Sequence, residues 1–267
     1  MSVLSRLGNA ARLFGIDFAK TGRSVRGLGP FLKNKRTFYQ QYEADAAKSF
    51  AAGKLYPCLG DRYEEGGSAS GHYFHQDLYV AQLIYDAQPQ RHIDIGSRID
   101  GFVSHVAVFR DIEVFDIRPL TTRAKNIHFC QLDLMEGYDA GLDNCTDSLS
   151  CLHALEHFGL GRYGDPIDYN GHQKGFRNLA RMVKPQGRFY FSTPISKTQR
   201  FEFDGQRVFS LPYLLAMAEK EKLEVMSFAY VDDAGSLRIG VNWDSSEARQ
   251  TYGLSYGCGI LELRKRS

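Results

Sequence analysis

"LEVMSFAYV" (223–231) and "YGCGILELRK" (256–265) decide the fold. Both are short apolar runs of strand character. Only a polar loop, 232–255, separates them, so they should pair as an antiparallel hairpin. Upstream, strands and helices alternate instead. "HIDIG" (92–96), "EVFDI" (113–117), "IHFCQLDL" (127–134), "TDSLSCLHA" (146–154) and "GRFYFSTP" (187–194) read as strands. Helical segments fall at 76–87, where Leu78, Val80, Ala81, Leu83 and Ile84 recur before Pro89, at 101–111, at 170–183 up to Lys184-Pro185, and at 211–222. Such alternation predicts an α/β fold, a doubly wound, mostly parallel seven-stranded sheet covered on both faces. The C-terminal hairpin would place an antiparallel strand at its edge.

A sheet ending this way resembles the class I S-adenosylmethionine-dependent methyltransferase fold, a Rossmann-like architecture whose ligands bind at the carboxyl ends of the strands. Outside it, residues 1–50 form a basic helical extension, with one or two amphipathic helices broken around "GLGP" (27–30), and residues 51–267 form the α/β domain. Residues 1–36 hold eight basic side chains against Asp17 alone, a charge of +7, which leaves −5 for the rest of a chain whose net charge is +2. Together with Leu4, Leu7, Leu13, Phe14, Ile16 and Phe18, that suits either an anionic membrane surface or a helix packed with its basic face solvated. The modest overall charge argues against nucleic acid as the main ligand.

The 267 residues are 43% hydrophobic and 24% charged, ordinary values for a globular chain. No apolar run approaches the roughly 20 residues that cross a bilayer. The N-terminus lacks the features of a signal peptide. Cys58, Cys130, Cys145, Cys151 and Cys258 form no CxxC pair, which suggests a reducing, cytoplasmic setting, with peripheral contact at the inner membrane face as an option for residues 1–36. No metal site is expected: His72 and His75 stand three apart near Asp77, without a further ligand cluster.

Three acids, Asp94, Asp116 and Asp133, end the first three strands. Gly96 allows a tight turn after the first. Asp116 lies 22 positions beyond Asp94, near the spacing at which an acid reaches a ribose diol. Asp133 could accept from an adenine amino group. Ser97, Arg98, Ile117, Leu134 and His153 complete the expected cofactor contacts, with strand-end capping as the other reading of Asp94 and Asp116, and core packing that of His153. Arg98 fills the second glycine position of a dinucleotide loop and would block backbone approach to a pyrophosphate, so S-adenosylmethionine is favoured over NAD. Arg98 and Asp100 also replace later glycines of the methyltransferase pattern D-x-G-x-G-x-G.

"HIDIGSRIDGF" (92–102), "FDIRPL" (115–120), "LEHFGLGRYGDPID" (155–168) and "STP" (192–194) together resemble a methyltransferase-like family classed as a domain of unknown function, over Tyr73 to Lys265. "GLGRYGDPID" (159–168) is the most specific part. The resemblance implies a role near surface-polysaccharide synthesis, hence O-methylation of a sugar or glycan hydroxyl, or a non-catalytic binding or assembly protein on the same fold. Methyl transfer to a hydroxyl needs a base beyond the fourth strand. His157 is the candidate, with Glu156 or Asp165 orienting it or replacing it. Arg162, Tyr163, Asp168 and Arg207 suit an acceptor rich in hydroxyls. The alternative for Arg162 and Asp165 is a structural ion pair that pins the loop.

Overall fold

A computed structural model describes residues 14–267. The chain divides into two compact units between Ser68 and Ala69, so the turn-rich stretch 51–68 groups with the N-terminal extension.

The first unit is built on one helix, α1 (Phe18–Ala44), opened by Asp17, whose Oδ1 accepts from the Lys20 amide at 3.0 Å. The break expected at "GLGP" does not occur, and the helix runs through Pro30. Pro30 has no amide hydrogen, so the Arg26 carbonyl four residues earlier loses its helical donor. The Tyr63 hydroxyl replaces it at 3.3 Å, and the Arg26 guanidinium lies 4.6 Å over the Tyr63 ring. Gly27 serves close approach: a Cβ there would stand 1.8 Å from the Leu59 carbonyl oxygen. Phe14, Phe18, Val25, Leu28, Leu32 and Phe38 are exposed. Leu4, Leu7 and Leu13 lie outside the described residues. Among the described residues no helix is long and apolar enough to cross a membrane.

The second unit holds an eight-stranded sheet in the order β3-β2-β1-β4-β5-β10-β8-β9. Its strands are β1 (His92–Ile95), β2 (Ile112–Asp116), β3 (Ile127–Gln131), β4 (Thr146–Leu152), β5 (Val183–Ile195), β8 (Leu223–Val231), β9 (Leu237–Arg238) and β10 (Gly257–Lys265). β1 to β5 are parallel, and β10 runs antiparallel to both β5 and β8. The C-terminal antiparallel pairing is therefore present, but β10 lies inside the sheet and the short β9 takes the edge. Residues 257–263 of β10 are all buried, as a strand flanked and covered on every side must be. Insertion also pairs the amides on both of its edges, which a position at the rim would leave open.

β5 shows how the faces divide. Phe189 and Phe191 point to one side, with Phe176 and Leu179 of α4 (Gly171–Met182) and Leu214 of α5 (Leu211–Lys220). Tyr190 points to the other, with Val80 and Ile84 of α2 (His72–Ala87), and with Phe102 and Val106. This is the period-two alternation of a strand, and each fully buried Leu, Ile or Phe adds about 1.5–3 kcal/mol. The helix expected at 101–111 is cut to a π-type turn, Ile99–Val103, running into α3 (Ser104–Ala107). Gly101 adopts a non-helical backbone there, and a Cβ on it would stand 2.5 Å from Asp77 Oδ2. A hairpin, β6 (Arg200–Glu202) and β7 (Gln206–Val208), follows β5, and the 232–255 loop carries the single turn α6 (Ser246–Arg249).

Candidate functional site

β1, β2 and β4 end around one cleft, as open parallel sheets place their ligand sites. Its apolar walls include Ile95, Phe115, Ile117, Leu134, Met135 and Phe158, and its polar groups are Asp116, Arg118, Asp133, His153, His157, Tyr163 and Asp165. Gly96 lines it with φ +69, and a Cβ there would meet the Ala154 Cβ at 3.0 Å, so glycine keeps the β1 turn against the β4 end.

The first acid does not face this cleft. Asp94 is fully buried and accepts from the Ser97 amide at 3.0 Å, the Ser97 hydroxyl at 2.6 Å and the Ser150 hydroxyl at 2.5 Å. Of its two readings, the capping one describes these contacts: it shapes the loop through which Gly96 reaches the ligand space. Burial lifts its carboxyl to about 6, against the hydrogen bonds from Ser150 and Ser97. Ser97 is spent on the same cap. Arg98 turns away, pairing with Asp100 at 3.1 Å and lying 5.1 Å over the exposed Tyr73 ring.

Asp116 and Asp133 do reach the cleft. Asp133 Oδ1 accepts from the Met135 amide at 2.8 Å. Asp116 is gripped by Arg118: the Arg118 amide donates at 2.8 Å, Nε at 3.1 Å and Nη2 at 2.6 Å. The guanidinium lies 4.4 Å over the Tyr163 ring, so the pair spans from the β2 end to the loop after β4. Arg118 lies in "FDIRPL" with no expected role of its own. Nothing in spacing alone shows that it covers Asp116.

The loop after β4 is ordered from within. Asp165 Oδ2 accepts from the Gly159 amide at 2.7 Å and the Gly161 amide at 3.2 Å, and Oδ1 from the Tyr163 amide at 3.2 Å. It is thus a backbone clamp at the cleft wall, and these bonds take the place of both its expected part beside His157 and the alternative pair with Arg162. Asp168 accepts from the Asn170 amide and pairs with Lys174 at 2.8 Å, outside the cleft. Arg207, buried, donates to the carbonyls of Glu156 (3.3 Å), Phe158 (2.6 Å), Asp168 (3.3 Å) and Tyr169 (3.0 Å). All four are backbone acceptors, so Arg207 fastens the loop. Of the expected acceptor contacts, Tyr163 lines the cleft and Arg162 stands exposed beside it.

His157 lies in the turn Leu155–His157 and lines the cleft. Its Nδ1 is 2.7 Å from the carbonyl oxygen of Gly205, in the β6–β7 turn, which also accepts from Arg162 Nη1 at 2.9 Å. A carbonyl can only accept, and Arg162 Nη1, 3.3 Å from Nδ1, donates to that carbonyl at the shorter 2.9 Å, so the hydrogen sits on Nδ1 and Nε2 keeps a lone pair. Burial pushes the imidazole below its ordinary value, with Glu156 opposing, so it is neutral at pH 7. Glu156 Oε1 is 3.9 Å from His157 Nε2 but 2.7 Å from His153 Nδ1. Fully buried, Glu156 belongs first to His153. Burial pulls His153 down, but Cys258 and Glu156 outweigh it and hold the ring well above its ordinary value. His72, for which the sequence left flanking the cofactor entrance or beginning the helix as readings, and Cys258, which the sequence did not bring to the site, stand beside His153.

Comparison with known proteins gives the fold a name. A profile of the family described as "Caenorhabditis protein of unknown function, DUF268" matches residues 122–230. No curated protein matches the chain. Among solved structures, a 1,6-didemethyltoxoflavin-N1-methyltransferase from Burkholderia thailandensis, with 1,6-didemethyltoxoflavin and S-adenosylhomocysteine bound, is 14% identical with a TM-score of 0.51, over 72% of this chain and 79% of that one. The N-methyltransferase NodS from Bradyrhizobium japonicum WM9, with S-adenosylhomocysteine, is 13% identical with a TM-score of 0.48, over 86% and 98%. The [4+2]-cyclase SpnF is 15% identical with a TM-score of 0.47, over 70% and 80%. The second unit has the fold of class I S-adenosylmethionine-dependent methyltransferases.

Proposed function

We propose that the chain is an S-adenosylmethionine-dependent methyltransferase acting on an oxygen nucleophile, with a sugar or glycan hydroxyl as acceptor. One observation carries the reading: Asp116, at the ribose-binding place after β2, shares a cleft with a histidine whose tautomer leaves Nε2 basic. The residues present fit the cofactor. Phe115, Ile117, Leu134 and Met135 offer apolar walls for an adenine ring, Asp133 an acceptor for its amino group, and Gly96 a turn with no side chain. Arg98, paired with Asp100 away from the cleft, does not itself obstruct a pyrophosphate, so the preference for S-adenosylmethionine over NAD rests on the fold and on titration with both ligands.

When bound, S-adenosylmethionine supplies an electrophilic methyl on a sulfonium. The chain's part is to place the acceptor hydroxyl in line with it and to take the hydroxyl proton on His157 Nε2. Gly205 holds the imidazole in the required tautomer. Exposed Arg162 and half-buried Tyr163 stand at the cleft, suited to hydrogen bonds with vicinal hydroxyls.

A second reading, a binding protein that keeps the fold without turnover, rests on the Arg118 cover over Asp116. Calorimetric titration with S-adenosylmethionine, S-adenosylhomocysteine and NAD tests the first step: the two sulfur ligands should bind and NAD should not. Wild-type protein without affinity for either sulfur ligand at millimolar concentration removes the transferase reading. Radiolabelled methyl transfer to sugar acceptors then separates enzyme from binding protein.

A further inference from the structure

His72, His153 and Cys258 come from three separate elements: the first residue of α2, the residue after β4, and the second residue of β10. The topology joins them. β10 lies beside β5, which lies beside β4, and α2 packs across the same face. One ligand atom from each residue lies within 4.8 Å of the other two. We propose that this cluster is a metal site for a zinc-like divalent ion, held by two imidazoles and one thiolate.

His153 is the strongest pointer. Its Nδ1 is taken by Glu156 at 2.7 Å, whereas its buried Nε2 makes no full hydrogen bond and has only the Cys258 sulfur beside it. A buried polar nitrogen without a partner costs about 1–3 kcal/mol, so something is expected there. A carboxylate on the far nitrogen of a histidine is the usual outer arrangement of a metal-bound imidazole, because it fixes the tautomer and raises basicity. The His72 and His153 rings are stacked, 16° from parallel with centroids 5.3 Å apart, so the His72 ring must turn for both lone pairs to meet on one ion. Two imidazoles on one tetrahedral ion, with Zn–N of about 2.0–2.1 Å, have ring centres about 5 Å apart. The donor atoms must close by about 1 Å to reach zinc distances. His72, half-buried in the first turn of α2, can supply most of that movement.

Donor chemistry selects the ion. A thiol and two imidazoles suit zinc or its transition-metal neighbours and not magnesium or calcium, which take oxygen donors. Three protein ligands leave a fourth position for water, as in open zinc sites. The other occupant that fits is a proton on Nε2 pointed at the Cys258 sulfur. That arrangement binds no metal. The metal proposal is independent of the transferase reading, since its readouts need no cofactor. If both hold, the ion lies one carboxylate away from His157, through His153 and Glu156.

The test uses the full chain, purified without chelator. Elemental analysis should find about one zinc per chain, and zinc should raise the melting temperature of chelator-stripped protein. Cobalt(II) added to stripped protein should give a near-ultraviolet thiolate-to-metal charge-transfer band. Cys258→Ser should lose the band, and His72→Ala should weaken cobalt binding at least tenfold and lose the zinc-dependent rise in melting. Cys58→Ser/Cys130→Ser, which removes two exposed thiols, should keep the band. Should Cys258→Ser fail to fold, His72→Ala, at a half-buried position, decides alone. Absence of retained zinc and of a band, a band that survives in Cys258→Ser, or cobalt affinity unchanged in His72→Ala overturns the proposal. S-adenosylhomocysteine titration of the same samples reads the cofactor site separately.

Discussion

Arg118 should act on cofactor affinity only through Asp116, and in the direction opposite to Asp116 itself. With the cofactor placed as proposed, Asp116→Ala would remove two hydrogen bonds to its ribose diol, a loss of about 2–4 kcal/mol, so the dissociation constant should rise about 30- to 900-fold. In the structure the same carboxylate is held by Arg118 at 2.6 Å, with side-chain exposures of 12% for Asp116 and 47% for Arg118. With the arginine half-exposed, the pair is screened from that side and contributes about 1 kcal/mol. Arg118→Ala therefore frees Asp116 and should tighten S-adenosylhomocysteine by up to about fivefold. The double variant should be as weak as Asp116→Ala alone, because the arginine then has nothing to cover. That is non-additivity of the kind expected for residues in contact. Salt gives a second axis: screening loosens the cover, so affinity should rise with ionic strength in the wild type and stay flat in Arg118→Ala. Titration calorimetry on the four proteins at two salt concentrations measures all of this. The reasoning is refuted if Arg118→Ala weakens binding tenfold, which would make the arginine a direct ligand contact, or if Asp116→Ala binds as the wild type does.

His157→Gln should keep S-adenosylhomocysteine affinity within about threefold while lowering transfer 10²–10⁴-fold, the usual worth of a positioned base. Nuclear magnetic resonance should show the His157 ring titrating below its ordinary value of 6.5, as burial dictates, and the rate should rise with pH through that same value; a ring still charged at pH 7 rules the role out. His92, fully buried between the Ser148 and Ser150 hydroxyls, is pushed by burial down to about 3. Its folded value lies below its unfolded value, so its contribution to stability is complete above pH 6.5 and drains away as pH falls, by on the order of 3 kcal/mol at pH 4. Urea unfolding at pH 7 and pH 4.5 should show a shallower loss in His92→Gln than in the wild type, and parallel losses would contradict this. Gly159 (φ +77) would carry a Cβ 2.1 Å from the Asp168 carbonyl oxygen, whereas Gly164 (φ +83) faces open space. Gly164→Ala should cost about 1–2 kcal/mol for the left-handed backbone alone and Gly159→Ala clearly more; equal melting shifts would show that the loop moves freely.

What the sequence made legible is what is local or periodic. The strands of the α/β unit follow from their apolar runs, and the hairpin of β8 with β10 follows from a connection that holds no covering helix between them. Side-chain alternation tells which face a residue takes, as Phe189, Tyr190 and Phe191 show. It does not tell which neighbour a strand takes on its other edge, and so β10 was expected at the rim. That one ambiguity hid Cys258. Only when β10 is inserted beside β5 does its second residue arrive opposite the end of β4, where His153 stands. The same limit separates the acids. Spacing shows that Asp94 and Asp116 both end strands, but the carboxylate of Asp94 is spent on Ser97 and Ser150, and only three-dimensional contact reveals it. Motif density, too, had two meanings in the loop after β4. Asp165 and Arg207 are there to order backbone, and what they order is the turn that leaves His157 with one nitrogen bound to Gly205 and the other free to accept a proton.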